Sequence, residues 1–349
     1  MNTPSSCLKA FGVEELKVVE LLTHVRKARD VVLVSHQNSD IDAVLSCHAL
    51  SHLIREVNPE AHITIASIKL SLPAKRLLED LGLIDSTEET ATLPRYDLCF
   101  FIDVNNPAHL GELEKAVDYH KPIIIVDHHR PSAKRPQNVV LTIMDQEAVA
   151  TAEIVCDIYR AIDLKPPKEV AFWLLIGILS DSRRLYVGGL KTLLNVAFLV
   201  ECGASLEEAS RMLYMPLSYS EKIARLKSAQ RLKLFTLGDQ WVLATSHVGS
   251  YEASAARALV DLGADLAAVY NDLDSRGSRL CARASEGFTK SFGLHLGEVM
   301  EQLGLEFSGS GGGHATAACV TTPVRGDVVL EGFLRFVKDK LKQPFKEIT

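Results

Sequence analysis

Side chains that bind metals or move protons recur along this chain at the ends of apolar runs. The first such stretch is VVLVSHQNSDIDA, residues 31–43, where four apolar residues lead into His36, Asp40 and Asp42 at an H-x-x-x-D-x-D spacing. Its β-branched, short apolar run reads as a buried strand, and the polar cluster falls on the turn before the helical pattern AVLSCHALSHLIREV. In an open α/β sheet, that turn is where ligands bind. An imidazole and two carboxylates converging on one loop repel unless something neutralises them. A divalent cation does so, and imidazole nitrogen with carboxylate oxygen suits manganese, magnesium or zinc. The chain repeats the message: DLCFFIDV delivers Asp103, PIIIVDHHR delivers Asp127, His128 and His129, and the apolar helix pattern GILSDS delivers Asp181.

These residues need elements to hold them. Strands alternating with helices at short spacing predict a parallel sheet with helices on both faces: HITIASI as a strand, PAKRLLEDLG as a helix, DLCFFIDV as a strand, a helix over 107–117, then PIIIVDHHR and NVVLTIMD as strands. Helices dominate from Ala150 to Leu213. Near Ser218 the pattern changes to that of a smaller α+β domain. It opens on a solvated connecting helix, SYSEKIARLKSAQR, and a hairpin, LKLFTLGDQWVLATSHV. A short helix at 253–262, a second hairpin turning at 274–277, an amphipathic helix over 292–303, the glycine run SGSGGGH (308–314) and a last helix follow. The expected division is 1–215, a connecting helix over 216–232, and 233–349.

The 349 residues exceed what one core usually organises and suit two domains. A hydrophobic content of 47% with 23% charged residues is ordinary for a globular chain. A net charge of −6 supplies no global field toward long nucleic acid or anionic membrane. The longest apolar run, 171–179, is too short to cross a bilayer. The start, MNTPSSCLKAFGVEELK, lacks the basic head and apolar core of a signal peptide. The seven cysteines form no C-x-x-C pairs, and Cys99, Cys156 and Cys319 sit in apolar runs. Buried reduced thiols and a cytoplasmic location are expected, rather than disulfides or zinc ligands.

Taken together, HQNSDID, the aspartate of FFID, VDHH and the aspartate of GILSDS resemble the motifs of the DHH phosphoesterase family, which includes RecJ-like exonucleases, nanoRNases and family II pyrophosphatases. GGGH with the following A-x-A-A, and the arginine of CARAS, resemble the DHH-associated C-terminal domain of the nanoRNase and RecJ branch. Two departures stand out: Ser39 and Ile41 replace a common Pro and Gly, and Ser-Arg-Arg follows Asp181 where many members read Thr-Gly. The resemblance implies two divalent cations, manganese or magnesium. One would be held by His36, Asp40 and Asp103, the other by Asp42, Asp103, His128 and Asp181, with Asp103 shared. It further implies that Asp127 orients an imidazole and that His129 contacts phosphate or assists the leaving oxygen. Arg283, Gly311, Gly312, Gly313 and His314 would grip the substrate. Charge arithmetic agrees: four aspartates with two neutral histidines carry −4, which two divalent cations cancel, whereas bare carboxylates about 4 Å apart repel by roughly 4 kcal/mol per pair at an effective dielectric of 20.

The activity this implies is hydrolysis of short oligonucleotides to 5′-mononucleotides. The alternatives are cleavage of cyclic dinucleotides, of 3′-phosphoadenosine-5′-phosphate or of longer single strands, or an inert scaffold role. A membrane partner is not expected; a homodimer is compatible with the sequence but not required by it.

Overall fold

The computed structural model describes residues 14–214, 217–238, 240–273, 277–342 and 345–348. The chain forms two units, 1–215 and 216–349.

The first unit is built on a parallel sheet. Its helices and strands run α1 (Glu15–Lys27), β1 (Asp30–Val34), α2 (Ile41–Val57), β2 (His62–Ser67), α3 (Leu72–Asp80), β3 (Glu88–Glu89), β4 (Leu98–Ile102), β5 (Ile123–Asp127), β6 (Val139–Met144), α4 (Thr151–Ala161), α5 (Lys168–Asp181), α6 (Leu190–Glu201) and α7 (Leu206–Met212). The strand order is β3-β2-β1-β4-β5-β6, with every pair parallel. Side chains alternate across this sheet as the pleat demands. Val31, Leu33, Phe100 and Ile124 pack with α2, α4 and α5 on one face, whereas Val32, Val34, Cys99, Phe101 and Ile125 face Tyr96, Leu110 and Leu113 on the other. The chain leaves β1 toward β2 and β3, then returns to place β4 on the other side of β1. The crevice at the C-terminal ends of β1 and β4 is therefore the switch point where this architecture binds ligands.

Residues 107–116, expected as one helix, form two 3₁₀ turns broken at Gly111, whose φ is 64°. A side chain there would meet Gln37 Oε1 at 2.7 Å, so the loop carrying His36 closes against a bare backbone.

The second unit contains α8 (Tyr219–Gln230), β7 (Lys233–Leu237), β8 (Trp241–His247), α9 (Glu252–Asp261), β9 (Leu266–Asp272), β10 (Ser278–Ala284), α10 (Glu286–Phe292), α11 (Leu296–Glu306), β11 (Ser310–His314), β12 (Ala317–Thr322), α12 (Gly326–Leu341) and β13 (Lys346–Ile348). Its mixed sheet has the order β11-β12-β10-β9-β8-β7-β13, with only β8 and β9 parallel. Phe288, Met300, Leu303, Phe333 and Val337 cover one face; Ala255, Ala256 and Leu259 of α9 cover the other. The helix expected to be a solvated connector, α8, packs against α9, where Arg225 donates to Ser254 Oγ at 2.8 Å. The turn expected at 274–277 lies largely outside the described residues.

Two features stand against the usual behaviour of such sequences. The glycine run, a composition that more often forms a flexible loop, is the strand β11 at the sheet edge. α11 lies so close to it that a side chain on Gly311 would fall 2.1 Å from Met300 O. Second, Cys281 and Cys319 are disulfide-bonded and not reduced thiols. They face each other in the β10–β12 register with their Cα atoms 4.1 Å apart. Cys47, Cys99 and Cys156 are free and buried, as expected. The cysteines therefore give no uniform argument for a reducing compartment. No helix among the described residues is long and apolar enough to cross a membrane.

Each unit carries its own core and one of the two tryptophans, Trp173 and Trp241. Phe100 is fully buried in the first unit, so Phe100→Ala is expected to cost about 3–5 kcal/mol there. In single-tryptophan variants followed by denaturant unfolding, the Trp173 transition should move to lower denaturant while the Trp241 transition holds its midpoint. Equal movement of both would mean that the cores do not unfold separately.

Candidate active site

The acids and imidazoles picked out in the N-terminal sequence converge on the switch point. His36 and Asp40 lie on the loop after β1, and Asp42 stands in the first turn of α2. Asp103 follows β4, Asp127 ends β5 with His128 and His129 next, and Asp181 is the last residue of α5. Their ligand atoms form overlapping groups: His36, Asp40 and Asp103; Asp42, His128 and Asp181; and Asp103, His128 and His129. Within each group the atoms lie within 4.8 Å of one another.

Asp103 joins the groups. Its Oδ2 lies 3.7 Å from His36 Nε2, while its Oδ1 lies 3.4 Å from His128 Nε2 and 3.5 Å from His129 Nδ1. Its backbone sits in the left-handed region at φ 58°, a conformation that costs a non-glycine residue of order 1–3 kcal/mol. Asp40 caps α2 by accepting from the Ala43 N–H at 3.1 Å and faces His36 Nε2 at 3.8 Å. The imidazole–carboxylate separations of 3.4–3.8 Å exceed hydrogen-bond lengths and match donor atoms spaced around a common ion with bonds of about 2.0–2.2 Å. His128 makes the same point. Its Nδ1 lies 3.3 Å from the Ala148 carbonyl, whereas its Nε2 is buried without a hydrogen-bond partner. Carboxylates gathered around an orphaned imidazole nitrogen fit divalent cations.

His129 differs from His128. Its Nδ1 bonds Asp127 Oδ1 at 2.8 Å while much of the ring is exposed. Asp127, fully buried, also accepts from the His129 N–H at 3.1 Å and from Asn105 Nδ2. Burial alone would raise the Asp127 pKa, but these donors outweigh it and hold it below the usual carboxylate range. His129 is correspondingly raised by Asp127. Asn105 is locked in turn, accepting from the Ser132 N–H at 2.8 Å. Asn105–Asp127–His129 thus fixes one ring nitrogen and turns the other toward solvent.

The sequence reading missed the groups that hold the acids. Asp42 accepts from the N–H groups of Thr151 at 2.6 Å and Ala152 at 3.0 Å, and from Ser46 Oγ at 3.3 Å. Gly177 leaves room for it, since a side chain there would lie 3.0 Å from Asp42 Oδ1 and 2.8 Å from Ala152 Cβ. Ser39, the departure in the first motif, is buried and ties the loop together: its Oγ bonds the His36 carbonyl at 2.7 Å and the Ser35 and Ser67 hydroxyls at 2.6 Å. At the second departure, Arg183, Arg184 and Leu185 all adopt left-handed backbones at φ 51°, 58° and 67°. A serine or threonine opening an apolar helix is the one visible signal for Thr151.

In the second unit, Arg283 lies on β10 opposite Ala317 and Ala267. Partial burial and the neighbouring Arg257 guanidinium lower its pKa from the usual arginine value. Gly311 and Gly313 are accounted for by packing, since side chains there would fall 2.1 Å from Met300 O and 2.5 Å from Ala317 O, while Gly312 is open and His314 is exposed.

Comparison with known proteins gives the family. Residues 30–178 match the model of the DHH family, N-terminal domain. The chain is 30% identical over 308 residues to an uncharacterized protein of Methanocaldococcus jannaschii, covering 87% of this chain and 90% of that one. It is 24% identical over 322 residues to the cyclic-di-AMP phosphodiesterase GdpP of Bacillus subtilis, covering 89% of this chain but only 47% of that protein. The chain thus spans about half of the length of GdpP. An exopolyphosphatase-related protein from Bacteroides fragilis shares the fold, with a TM-score of 0.67 at 15% identity over 95% of this chain and 98% of that one. The chain belongs to the DHH family and is a metal-dependent phosphoesterase.

Without metal, the site must store protons. Burial opposes charging His128, but Asp103, Asp42 and Asp181 overcome it and push its pKa up to about 9. Burial and the charges of Asp40 and Asp103 push Asp181 up to about 7, and burial and Asp181 raise Asp42. A group raised on folding stabilises fully below its unfolded pKa and loses that contribution as pH rises through its folded value. In metal-free protein the contribution of these groups should therefore fall between about pH 4 and pH 9. Below about pH 6.5 it is opposed by His48, which burial pushes down to about 4, so the loss of Tm should be clearest between about pH 6.5 and pH 9. Metal ligands bind deprotonated, so calorimetric Mn²⁺ titration at pH 7 in buffers of different ionisation enthalpy should show at least one proton released per chain. A heat independent of buffer would contradict this charge assignment.

Proposed function

We propose that the chain is a two-metal phosphodiesterase that hydrolyses short oligonucleotides to 5′-mononucleotides, with Mn²⁺ as its preferred ion and Mg²⁺ as a substitute. The observation that carries the reading is Asp103, whose two oxygens face two different ligand groups. His36, Asp40 and Asp103 would hold one ion; Asp42, Asp103, His128 and Asp181 the other. Such a pair supplies a water of lowered pKa and neutralises phosphate oxygens during in-line displacement.

The remaining groups have defined work. His129, with Nδ1 held on Asp127, offers its outer nitrogen as proton donor to the departing 3′-oxygen. Asn105 keeps Asp127 in place for that duty. Arg283, with Arg257 beside it, favours an anionic group, and Arg283, Gly311, Gly312, Gly313 and His314 are assigned to gripping the nucleotide. A net charge of −6 favours few phosphate contacts and hence short strands. A cytoplasmic location belongs to the same reading and rests on its substrate class. A second reading, hydrolysis of cyclic di-AMP, is favoured by the similarity to GdpP.

The test compares turnover with Mn²⁺ on linear dinucleotides, cyclic di-AMP, 3′-phosphoadenosine-5′-phosphate and a long single strand. Linear oligomers of about two to five nucleotides should be hydrolysed fastest. Arg283→Ala should lose roughly tenfold to a hundredfold in kcat/KM on a dinucleotide, the worth of one charge-assisted contact of about 1.5–3 kcal/mol. It should lose much less on bis-(p-nitrophenyl) phosphate. Cyclic di-AMP as the fastest substrate would select the second reading. Equal rates on long and short strands would remove the short-substrate assignment, and absence of turnover on every diester would remove the phosphodiesterase reading.

A further inference from the structure

The first residue of α4 touches two of the clustered acids at once. The Thr151 hydroxyl donates to Asp103 Oδ1 at 2.8 Å, and the Thr151 N–H donates to Asp42 Oδ2 at 2.6 Å. Thr151 is fully buried, as is Asp42. The residue preceding α4, Ala150, makes no side-chain cap, so the leading N–H groups of this helix are directed at Asp42 instead. A helix N-terminus carries positive potential, and Asp42 also occupies the first turn of α2. The backbone half of the contact therefore holds Asp42 whatever the side chain at 151. The hydroxyl half is particular to threonine or serine.

That hydroxyl bears on the geometry of Asp103. The two oxygens of this carboxylate face different groups, Oδ1 toward His128 and His129 and Oδ2 toward His36. Turning the carboxylate about its Cβ–Cγ bond would take both oxygens out of register. The ring nitrogens of His36, His128 and His129 stand 3.4–3.7 Å from Asp103, whereas one contact, at 2.8 Å, has hydrogen-bond length. The donor that fixes Oδ1 is Thr151.

We propose that Thr151 is a positioning residue for the shared aspartate: its hydroxyl sets the Asp103 carboxylate in the orientation that lets one oxygen serve each metal group. The inference rests on the two-metal reading above. It acts on metal capture, because a preset bridge lowers the reorganisation needed when ions arrive. Hydrogen-bond partners standing behind metal ligands typically contribute 10- to 100-fold in affinity. Oδ1 is the oxygen that the hydroxyl holds, so the loss should fall on the ion of the His128 group more than on that of the His36 group.

The experiment titrates metal-free protein with Mn²⁺ and counts free ion by electron paramagnetic resonance, with circular dichroism as the check on folding. Wild type should bind two ions per chain. Thr151→Val keeps the shape and the backbone N–H but removes the hydroxyl, and one of its two ions should bind 10- to 100-fold more weakly. Thr151→Ser restores the donor and should bind both ions as wild type does. Thr151→Ala removes the same hydroxyl without branching at Cβ and gives the same reading should the valine variant not fold. If either hydroxyl-free variant binds both ions as tightly as wild type, the inference is overturned. It is equally overturned if Thr151→Ser loses as much as Thr151→Val, because packing and not the hydroxyl would then be at work. A wild type that binds fewer than two ions removes the two-metal reading itself, and the inference with it.

Discussion

The crowding of Asp40, Asp42, Asp103 and Asp181 is the constraint that the first unit answers. Carboxylates about 4 Å apart repel by roughly 4 kcal/mol per pair at an effective dielectric of 20, a large sum against a net folding stability of about 5–15 kcal/mol. The fold meets it with fixed dipoles and a stored proton. Asp42 sits at the starts of α2 and α4 and accepts two backbone N–H groups. His128 carries a proton into the cluster as a provisional cation. The remaining imbalance is what divalent ions relieve, so stability and chemistry are coupled through the same residues.

This solution requires a stiff frame. Asp103 hangs at the end of β4 in a left-handed conformation, which persists only where the surroundings over-determine it. Those surroundings are the buried runs 98–102 and 123–127, whose alternating side chains lock the sheet against α2, α4 and α5 on one face and the 3₁₀ turns on the other. Gly177 adds a steric condition, since α5 can approach Asp42 and Ala152 this closely only without a side chain at that point. The site is thus set by contacts between elements far apart in sequence, with ligands drawn from the ends of β1, β4, β5 and α5.

What the sequence made legible follows from the range of the physics involved. Short β-branched runs announce buried strands, and polar residues at their ends announce a ligand site, so His36, Asp40, Asp103 and the Asp127–His129 stretch could be placed locally. Partners set by tertiary approach could not. Thr151 looks like the start of an apolar helix, and nothing in its neighbourhood points to Asp42, 109 residues earlier. Cys281 and Cys319 are 38 residues apart, and their bond depends on strand register rather than on spacing. The run 310–314 reads as a loop because glycine disfavours strands, yet here the bare backbone is what lets α11 lie against β11. The break at Gly111 faces Gln37 on the loop after β1, a contact that no window of local sequence contains.

The central claim is that one carboxylate serves two ions. Its most direct measurement is anomalous diffraction at the manganese edge from crystals soaked in Mn²⁺. The account predicts two peaks about 3.5–4 Å apart, one beside His36 and Asp40, the other beside Asp42, His128 and Asp181, with Asp103 between them. A single peak at full occupancy, or two peaks that do not share Asp103, would contradict it.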